Sequence, residues 1–463
     1  MISRLTTLTL LFGLGSLAAC APVGQVQRLD ATTTTGTPIA AFQPGTPRPL
    51  PASRPNAEMA RDFIELGFAM ESGRPIEQFS RFEGPVRVVT RGSVPSQAQN
   101  DLDRLLTRLQ REAGIDIAKV ETAAENANTI TVEFLPRRQM QAVVPTAACF
   151  VVPNVSNWSE FVANRRSTAI DWTRVVTRTR AAVFIPTDTT PQEIRDCLHE
   201  EVGQALGPLN DLFRLSDSIF NDDNFQTTLT GFDMLLLRIW YARELQPGMT
   251  RDQVTARLPT LFNRMNPSGR RHTGLNAGIT PRAWQQAIEQ ALSSSGGVAQ
   301  RRAGASRALS LARSQNWDDN RLALSLMLSA RLAPRDQGQA ALDALLASAE
   351  IYRRYAGGEV HAAHIDMHLA VQALASGQAD MVLDLTGRAM PIAERSENAA
   401  FLASLGFIRA EALYLRGNDA QAERLRLDSL PAARYGFGSE AAAQARMDEI
   451  ARIASASQRV ARQ

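Results

Sequence analysis

The pattern of apolar residues changes near residue 299 of this 463-residue chain, and the change separates two kinds of structure. Before that point, short alternating or β-rich runs lie between segments with helical spacing. After it, strand signals vanish, and Ala, Leu and Arg dominate. A chain of this length holds two or three domains of ~100–200 residues each. The sequence therefore predicts a region of mixed helices and strands, residues 57–298, followed by an all-helical region, residues 299–463.

Helix and strand signals alternate in the first region. Apolar residues at helical spacing in AEMARDFIELGFAM and SQAQNDLDRLLTRLQREAG predict two helices. The alternating runs PVRVVT and TITVEFL predict strands, and AACFVVP and RAAVFIP predict shorter ones. This order favours an α+β fold, or a three-layer domain with a small mixed sheet.

The second region predicts successive helices with breaks at LAPRD, YAGG, SGQ and RGN. Helix pairs recur about every forty residues, and AEALYLRGNDAQAERL resembles a tetratricopeptide hairpin. The resemblance implies stacked helix pairs that offer a surface to a protein partner, and an irregular helical bundle is the alternative. The predicted helices lie near 301–315, 320–332, 338–355, 359–376, 379–394, 397–416, 418–429 and 438–457.

Three histidines of this region, His361, His364 and His368, are spaced so that they share one helical face. We expect an exposed helix face there, with a weak metal-binding patch as the alternative.

The first twenty residues predict export. Arg4 precedes LTTLTLLFGLG, an apolar run too short to span a bilayer and typical of a signal peptide. The run ends in LAAC, which resembles the lipobox of bacterial lipoproteins. The resemblance implies that a signal peptide, residues 1–19, is removed and that Cys20 carries the lipid. An ordinary secretory signal with a chance cysteine is the alternative.

The resemblance also bears on localisation, because the residue after Cys20 is Ala21 rather than an aspartate. In Gram-negative lipoproteins this implies an outer-membrane anchor facing the periplasm. Residues 20–56 are rich in Thr, Pro and Ala without an apolar period, so we expect a flexible linker. The formal net charge is only +3, and it gives no indication of a nucleic-acid-binding surface.

Two cysteines remain beyond Cys20, namely Cys149 and Cys197. In an oxidising compartment an even pair indicates a disulfide. The bond would join the AACFVVP strand to the helix that contains Cys197. Two buried free thiols are the alternative.

Residues 197–211, CLHEEVGQALGPLND, lie in a helix with clear ends. Thr190 is a suitable N-cap, Pro191 fits the first turn, and Gly207 with Pro208 ends the helix. An ordinary amphipathic helix would turn Leu198, Val202, Ala205 and Leu206 inward and leave a polar stripe outside.

The same stretch resembles the extended zincin motif of metallopeptidases, His-Glu-x-x-His-x-x-Gly-x-x-His. The match depends on the Ala-Leu-Gly sequence that ends in the motif glycine, Gly207. In that register Glu200 takes the first ligand position and Glu201 the position of the general base. Gln204 and Asn210 take the second and third ligand positions. The only histidine, His199, is out of register.

Ligand chemistry indicates a degenerate site. Zinc favours imidazole and thiolate, and a carboxamide oxygen is a poor ligand for it. We therefore expect no metal and no other cofactor at these positions. The alternatives are a hydrogen-bonded network of Glu, Gln and Asn, weakly held zinc, or a calcium site assisted by Asp222 and Asp223.

A second segment, TGFDMLLLRIWYARELQPGMT, supports the resemblance. It is similar to a segment of an uncharacterised group of zincin-like bacterial lipoproteins, and the similarity covers roughly residues 75–255. Met234 or Met249 would correspond to the methionine turn of metzincins. The matching residues are Asp233, Leu237, Arg238, Tyr241, Leu245, Pro247, Gly248 and Met249.

These observations lead to three hypotheses. The first is a lipid-anchored envelope protein with a zinc-less, metallopeptidase-like domain that binds a protein partner through its helical repeats. The second is an atypical periplasmic hydrolase with Glu201 as general base. The third is a structural lipoprotein in which the motif is a relic, because fold resemblance alone does not carry function.

Overall fold

The computed structural model describes Phe42 and residues 50–271, 280–293, 296–355 and 357–461. The predicted signal peptide, residues 1–19, the predicted lipidation site Cys20 and most of the predicted linker lie outside the described residues. Within the described ranges, no helix is long and apolar enough to cross a membrane.

The α/β half, which ends with helix α8, is built on a five-stranded mixed sheet with the order β3-β2-β4-β7-β5. The first four strands in that order are parallel, and β5 runs antiparallel along the edge beside β7. A separate parallel pair, β1 with β6, lies apart from it. The strands are Arg81–Phe82 (β1), Val86–Gly92 (β2), Ile117–Lys119 (β3), Asn128–Leu135 (β4), Phe150–Pro153 (β5), Thr177–Arg178 (β6) and Arg180–Pro186 (β7).

Helices cover both faces of this sheet. Strand β7 shows why, because its alternate side chains enter two different cores. Val183 and Ile185 pack into the larger core, whereas Phe184 packs with Trp158 and Phe161 of α4. The helices of this half are Asn56–Gly67 (α1), Ser96–Arg108 (α2), Arg137–Gln141 (α3), Trp158–Asn164 (α4), Pro191–Leu206 (α5), Gly231–Trp240 (α6), Arg251–Thr255 (α7) and Leu258–Met265 (α8).

The architecture confirms the prediction of three layers with a mixed sheet. Because strands and helices alternate along the chain and most strands are parallel, the half is α/β rather than α+β. The strand signals in PVRVVT, TITVEFL and RAAVFIP correspond to β2, β4 and β7.

The predicted disulfide is confirmed. Cys149, directly before β5, is bonded to Cys197 of α5, with a Cα–Cα distance of 6.0 Å. The bond joins residues 48 positions apart. Such a cross-link restricts the unfolded chain, and the loop-entropy model assigns it about 4 kcal/mol of stability.

The helical half, which begins with α9, is all helix in its described part, as predicted. Helix α9 precedes the predicted boundary at residue 298, yet its Trp284 packs with Ala305 of α10 in one core. The signals before Pro431 predicted a helix ending at 429, but α16 continues through this proline to Phe437. Its helices are Arg282–Leu292 (α9), Val298–Ser314 (α10), Asn320–Arg331 (α11), Gly338–Arg354 (α12), Glu359–Ala375 (α13), Ala379–Arg395 (α14), Ala399–Leu415 (α15), Asp419–Phe437 (α16) and Glu440–Ala461 (α17).

The two halves are joined by buried polar contacts along α2 and α5. Tyr435 of α16 donates its hydroxyl to Asp101 Oδ2 of α2 at 2.8 Å. Gln192 of α5 donates to Asn398 Oδ1 at 3.0 Å and accepts from the Ala400 backbone N–H at 2.9 Å. Since these groups are desolvated on both sides, separating the halves would leave polar atoms without partners.

The end of the predicted linker is part of the folded structure. Ala52 is buried, and Arg54 forms ion pairs with Asp62 of α1 and with Asp217. The predicted flexible linker extended to residue 56, but its last five residues belong to the folded structure. The cause is a long-range ion pair that composition does not reveal.

We predict that Tyr435→Phe lowers the free energy of unfolding by about 1.5–3 kcal/mol, because Asp101 loses a buried hydrogen bond to a charged group. Urea denaturation measures the change. Tyr414→Phe is the matched control, since Tyr414 bonds Glu423 at the surface and should change stability by less than about 0.5 kcal/mol. Equal effects of the two variants would contradict the buried contact between the halves.

Candidate functional site

Helix α5 has the ends that its sequence predicts. The Thr190 hydroxyl accepts from the Glu193 backbone N–H at 3.1 Å, and Pro191 occupies the first helical position. Leu198 and Val202 are fully buried in the larger core. Gly203 permits close packing, because a Cβ there would lie 2.8 Å from the ring of Phe220.

The C-terminal end of α5 is capped by a buried arginine. Arg178, only 2% exposed, donates to the backbone oxygens of Gln204 at 2.7 Å and Ala205 at 2.8 Å. It also donates to Gly207 O at 2.6 Å. Burial lowers the pKa of Arg178 to about 10. A positive charge at a helix C-terminus satisfies the last carbonyls and complements the helix dipole.

Helix α6 supports α5 through residues of the segment TGFDMLLLRIWYARELQPGMT. The Tyr241 hydroxyl, just after α6, donates to Leu206 O of α5 at 3.0 Å. Asp233 accepts from the backbone N–H groups of Ile219 and Thr230 at 3.0 and 2.8 Å, which fixes the loop before α6. These residues therefore hold α5 in place.

The polar side of α5 carries a group of acidic side chains that we call the carboxyl cluster: Glu200 and Glu201 of α5, Asp211, and Glu71. Gln204 lies beside it and donates to Asp211 Oδ2 at 3.3 Å. Glu201 is 5% exposed. Its Oε2 atom and the Oδ1 atom of Asp211 have no hydrogen-bond partner among the described residues.

Three carboxyl groups of the cluster, those of Glu200, Glu201 and Asp211, have a raised pKa. Burial raises the pKa of Glu200 to about 8, and the nearby charges of Asp222, Glu71 and Asp196 add to the effect. Burial, followed by the charges of Glu200 and Glu71, holds the pKa of Glu201 well above its ordinary range. The pKa of Asp211 is raised in the same way, and a side-chain hydrogen bond with Glu71 contributes.

A small polar cavity of about 30 Å³ extends from Glu200. Asp196, one helical turn before Glu200, lines it together with Asp222, Asn224 and Thr227. Burial raises the pKa of Asp196 to about 7, although the charge of Arg195 acts in the opposite direction. A cavity of this volume has room for one or two water molecules.

The structure places three of the predicted positions together and one elsewhere. Glu200, Glu201 and Gln204 share the polar side of α5. Asn210 instead donates to Glu65 O at 3.0 Å and accepts from the Asp211 backbone N–H at 3.0 Å. Because the Asn210 side chain completes this turn, it is Asp211 that reaches the cluster. The predicted third ligand position therefore needs this correction.

His199 lies apart from the cluster, as its register predicts. Its Nδ1 atom accepts from the Leu229 backbone N–H at 3.1 Å. Burial and the charges of Arg108, Arg195 and Arg104 hold the pKa of His199 well below its usual range. The ring is therefore neutral and links α5 to the segment before α6.

Asp222 and Asp223, the extra carboxylates of the alternative calcium site, have different surroundings in the structure. Asp222 faces the small cavity, whereas Asp223 contacts His361 Nε2 of the helical half at 2.7 Å. The expectation of an exposed histidine face is wrong, because His361 is 1% exposed and His364 stacks on Phe401 at 3.7 Å. Phe225 of the α/β half packs against both His361 and His364, and the pattern of the helix alone cannot indicate that.

Within the described ranges, no three His, Cys, Asp or Glu side chains are placed so that they could hold a metal ion. Met234 is buried in the core, and the Met249 sulfur accepts from the Gln246 backbone N–H at 3.4 Å. Neither methionine contacts the carboxyl cluster through a hydrogen bond. As placed, the cluster can share protons among its carboxyl groups.

Sequence reasoning missed Glu71 and Arg178. Glu71 lies in the turn after α1, where Met70 N–H donates to Arg74 O at 2.9 Å. Arg178 belongs to the two-residue strand β6. Each residue lies at least 26 positions in the chain from the residues of α5 on which it acts, and no local pattern indicates either contact.

The fold and the site define an α/β region with a carboxyl cluster on a buried helix, joined to a helical region. Residues 56–260, which contain the cluster, match the model of a family described as a protein of unknown function (DUF2927). No curated protein and no solved structure matches the chain.

We predict that Glu200→Gln flattens the pH dependence of stability. An ordinary glutamate titrates near ~4.3, so between that pH and about 8 the folded state retains a proton that the unfolded state has lost. Stability of the wild type therefore falls as the pH rises from 5 to 8.5. The variant should lose roughly 1–2 kcal/mol less over this range in urea denaturation.

Glu121→Gln, at an exposed position, is the control for this experiment and should follow the wild-type curve. If the Glu200→Gln curve has the wild-type slope, Glu200 does not retain its proton at neutral pH.

Proposed function

We propose that the protein is a cell-envelope binding module in which the α/β half is a zinc-less relative of the zincin metallopeptidases. The observation that carries the proposal is the carboxyl cluster on α5. Glu200, Glu201 and Gln204 occupy the zincin register, and their oxygen and amide groups replace the imidazoles that zinc favours. The mixed sheet beside α5 also agrees with the resemblance.

The state of Glu201 argues against the hydrolase alternative. A general base must be ionised at the working pH and within reach of the water that it activates. Glu201 is 5% exposed, and burial holds its pKa well above its ordinary range. A buried carboxyl group with a raised pKa is a poor general base, because its ionised form is disfavoured. The atypical hydrolase therefore requires a rearrangement that exposes Glu201.

The helical half supplies the protein-binding surface in this proposal, through tetratricopeptide-like pairs. Gly377 and Gly417 adopt positive φ in the turns of the pairs α13/α14 and α15/α16. The second helix of successive pairs exposes a large apolar side chain: Leu346 on α12, Met381 on α14 and Leu427 on α16. Stacked helix pairs present such surfaces to partners.

The proposed location is the outer membrane, facing the periplasm. It rests on Cys20 in LAAC and on Ala21 after it. The disulfide between Cys149 and Cys197 agrees with an oxidising compartment.

The proposal is tested by elemental analysis of the chain from residue 21 onward after equilibration with zinc and buffer exchange. We expect far less than one zinc per chain. We also expect Glu201→Gln to hydrolyse casein at the same rate as the wild type. One zinc per chain that is lost in Glu200→Ala would contradict the proposal, as would casein hydrolysis that depends on Glu201.

A gain-of-function variant tests the zincin register itself. Glu200→His combined with Gln204→His places two imidazoles one helical turn apart, with Asp211 beside the second position. We expect this double variant to retain one zinc per chain and the single variant Glu200→His to retain none. A double variant without zinc would mean that α5 does not have the zincin geometry.

A further inference from the structure

A cleft of about 120 Å³ lies between the two halves, and no residue of the carboxyl cluster lines it. One wall is the segment before α6 and another is residues 50–53 of the N-terminal segment. The ends of α13 and α14 and the turn after α14 close the other side. Clefts between domains are common places for ligand binding.

The lining combines an apolar floor with two unpaired polar groups. Leu229, Phe232 and Val360 are buried apolar residues of the cleft. Arg108 and Glu397 also line it, and they are 6% and 8% exposed. Arg108 Nη1 and Glu397 Oε1 have no hydrogen-bond partner among the described residues. A buried polar atom without a hydrogen-bond partner is costly, so each of these two atoms favours a ligand group that pairs with it.

Both groups are held in fixed positions. Arg108 donates through Nε and Nη2 to Glu112 at 2.8 and 3.0 Å, and through Nη2 to Leu229 O at 2.9 Å. Only Nη1 remains. Glu397 has a positive φ of 55° in the turn after α14, and its Oε2 lies 3.7 Å from Arg195 Nη1. Preorganised groups bind a ligand with a small loss of conformational entropy.

The charges of the lining favour a neutral ligand. Two arginines, Arg108 and Arg395, face three carboxylates, Asp217, Glu359 and Glu397. An anionic ligand would be repelled by this excess of carboxylates, and a cationic ligand would be repelled by the arginines. A peptide amide is neutral, and it offers a carbonyl acceptor for Arg108 and an N–H donor for Glu397.

We propose that this cleft binds a peptide segment through a backbone amide, with an adjacent apolar side chain on the floor of Leu229, Phe232 and Val360. The inference rests on the proposed binding role and names its ligand class. Zinc content is measured separately. A chain that holds zinc and binds the amide would therefore overturn the proposed function and leave this inference intact.

Saturation-transfer NMR on the chain from residue 21 onward tests the cleft with four probes, of which the anion N-acetyl-leucine is the charged comparison. N-acetyl-leucinamide has both the amide and the apolar side chain, N-acetylglycinamide lacks the side chain, and isoamyl alcohol lacks the amide. We expect the first probe to bind most tightly. Equal binding of isoamyl alcohol, tighter binding of the anion N-acetyl-leucine, or no binding of N-acetyl-leucinamide would each overturn the proposal.

Two pairs of variants assign the binding to the cleft. Ser53→Trp is expected to fill the mouth of the cleft and to abolish binding. Ser306→Trp, at an exposed position of α10, is expected to leave binding unchanged. Arg108→Lys keeps the charge but loses the guanidinium geometry, and we expect affinity to fall about tenfold. Arg111→Lys, at an exposed position, should keep wild-type affinity. Binding unaffected by Ser53→Trp would place the ligand elsewhere and overturn the assignment.

Thermal unfolding of each variant separates loss of the cleft from loss of the fold. Ser53 is exposed, so Ser53→Trp is expected to keep the wild-type melting temperature. Loss of binding in a Ser53→Trp chain with that melting temperature supports the proposal, and retained binding overturns it.

Discussion

The burial of helix α5 sets the environment of the carboxyl cluster. The inner face of this helix packs on the core of the sheet, its first turns contact α15, and Arg178 and Tyr241 cap its last turn. The carboxyl groups of Glu200 and Glu201 are therefore drawn into a desolvated region. Carboxylates in such a region need cationic partners or protons. Among the described residues, burial and neighbouring acidic groups raise the pKa of Glu200, Glu201 and Asp211, so this enclosure favours their protonated forms.

The two halves of the chain depend on each other through buried contacts of α2, of α5 and of the segment between α5 and α6. The polar contacts of Gln192 with residues 398–400 and of Tyr435 with Asp101 cover surfaces that would otherwise be exposed. The contact of Asp223 with His361 adds a third buried link. As a result, the helical half is a structural support for the α/β half as well as a candidate surface for partners. The cleft between them exists because the halves are packed in this way.

Local patterns in the sequence were sufficient for the longer elements of this fold, whereas short elements such as β1, β3 and β6 were not predicted. Alternation located β2 and β4, a β-rich apolar run located β7, helical spacing located the helices after residue 298, and caps located α5. The cysteine pair was found because the number of cysteines and the predicted compartment constrain it. In each case the signal lies within a few residues of the feature, or in a property of the whole chain.

Contacts between distant segments could not be predicted in this way. Glu71, Arg178 and the turn made by Asn210 meet α5 only after the chain has folded, and the α/β half buries His361. In the structure Glu200, Glu201 and Gln204 lie on α5, the helix that the sequence predicted for them. Spacing alone could not show which of Asn210 and Asp211 would turn toward them, because a single backbone turn decides it.

The titration of Glu201 tests the central claim most directly. In a chain labelled with 13C at the glutamate carboxyl carbons, NMR can follow this group as the pH is raised, with Glu201→Gln identifying its resonance. The account predicts a midpoint far above ~4.3, the ordinary value for glutamate, and no change when zinc is added. A midpoint near the ordinary value, or a resonance that shifts stoichiometrically with zinc, would contradict it.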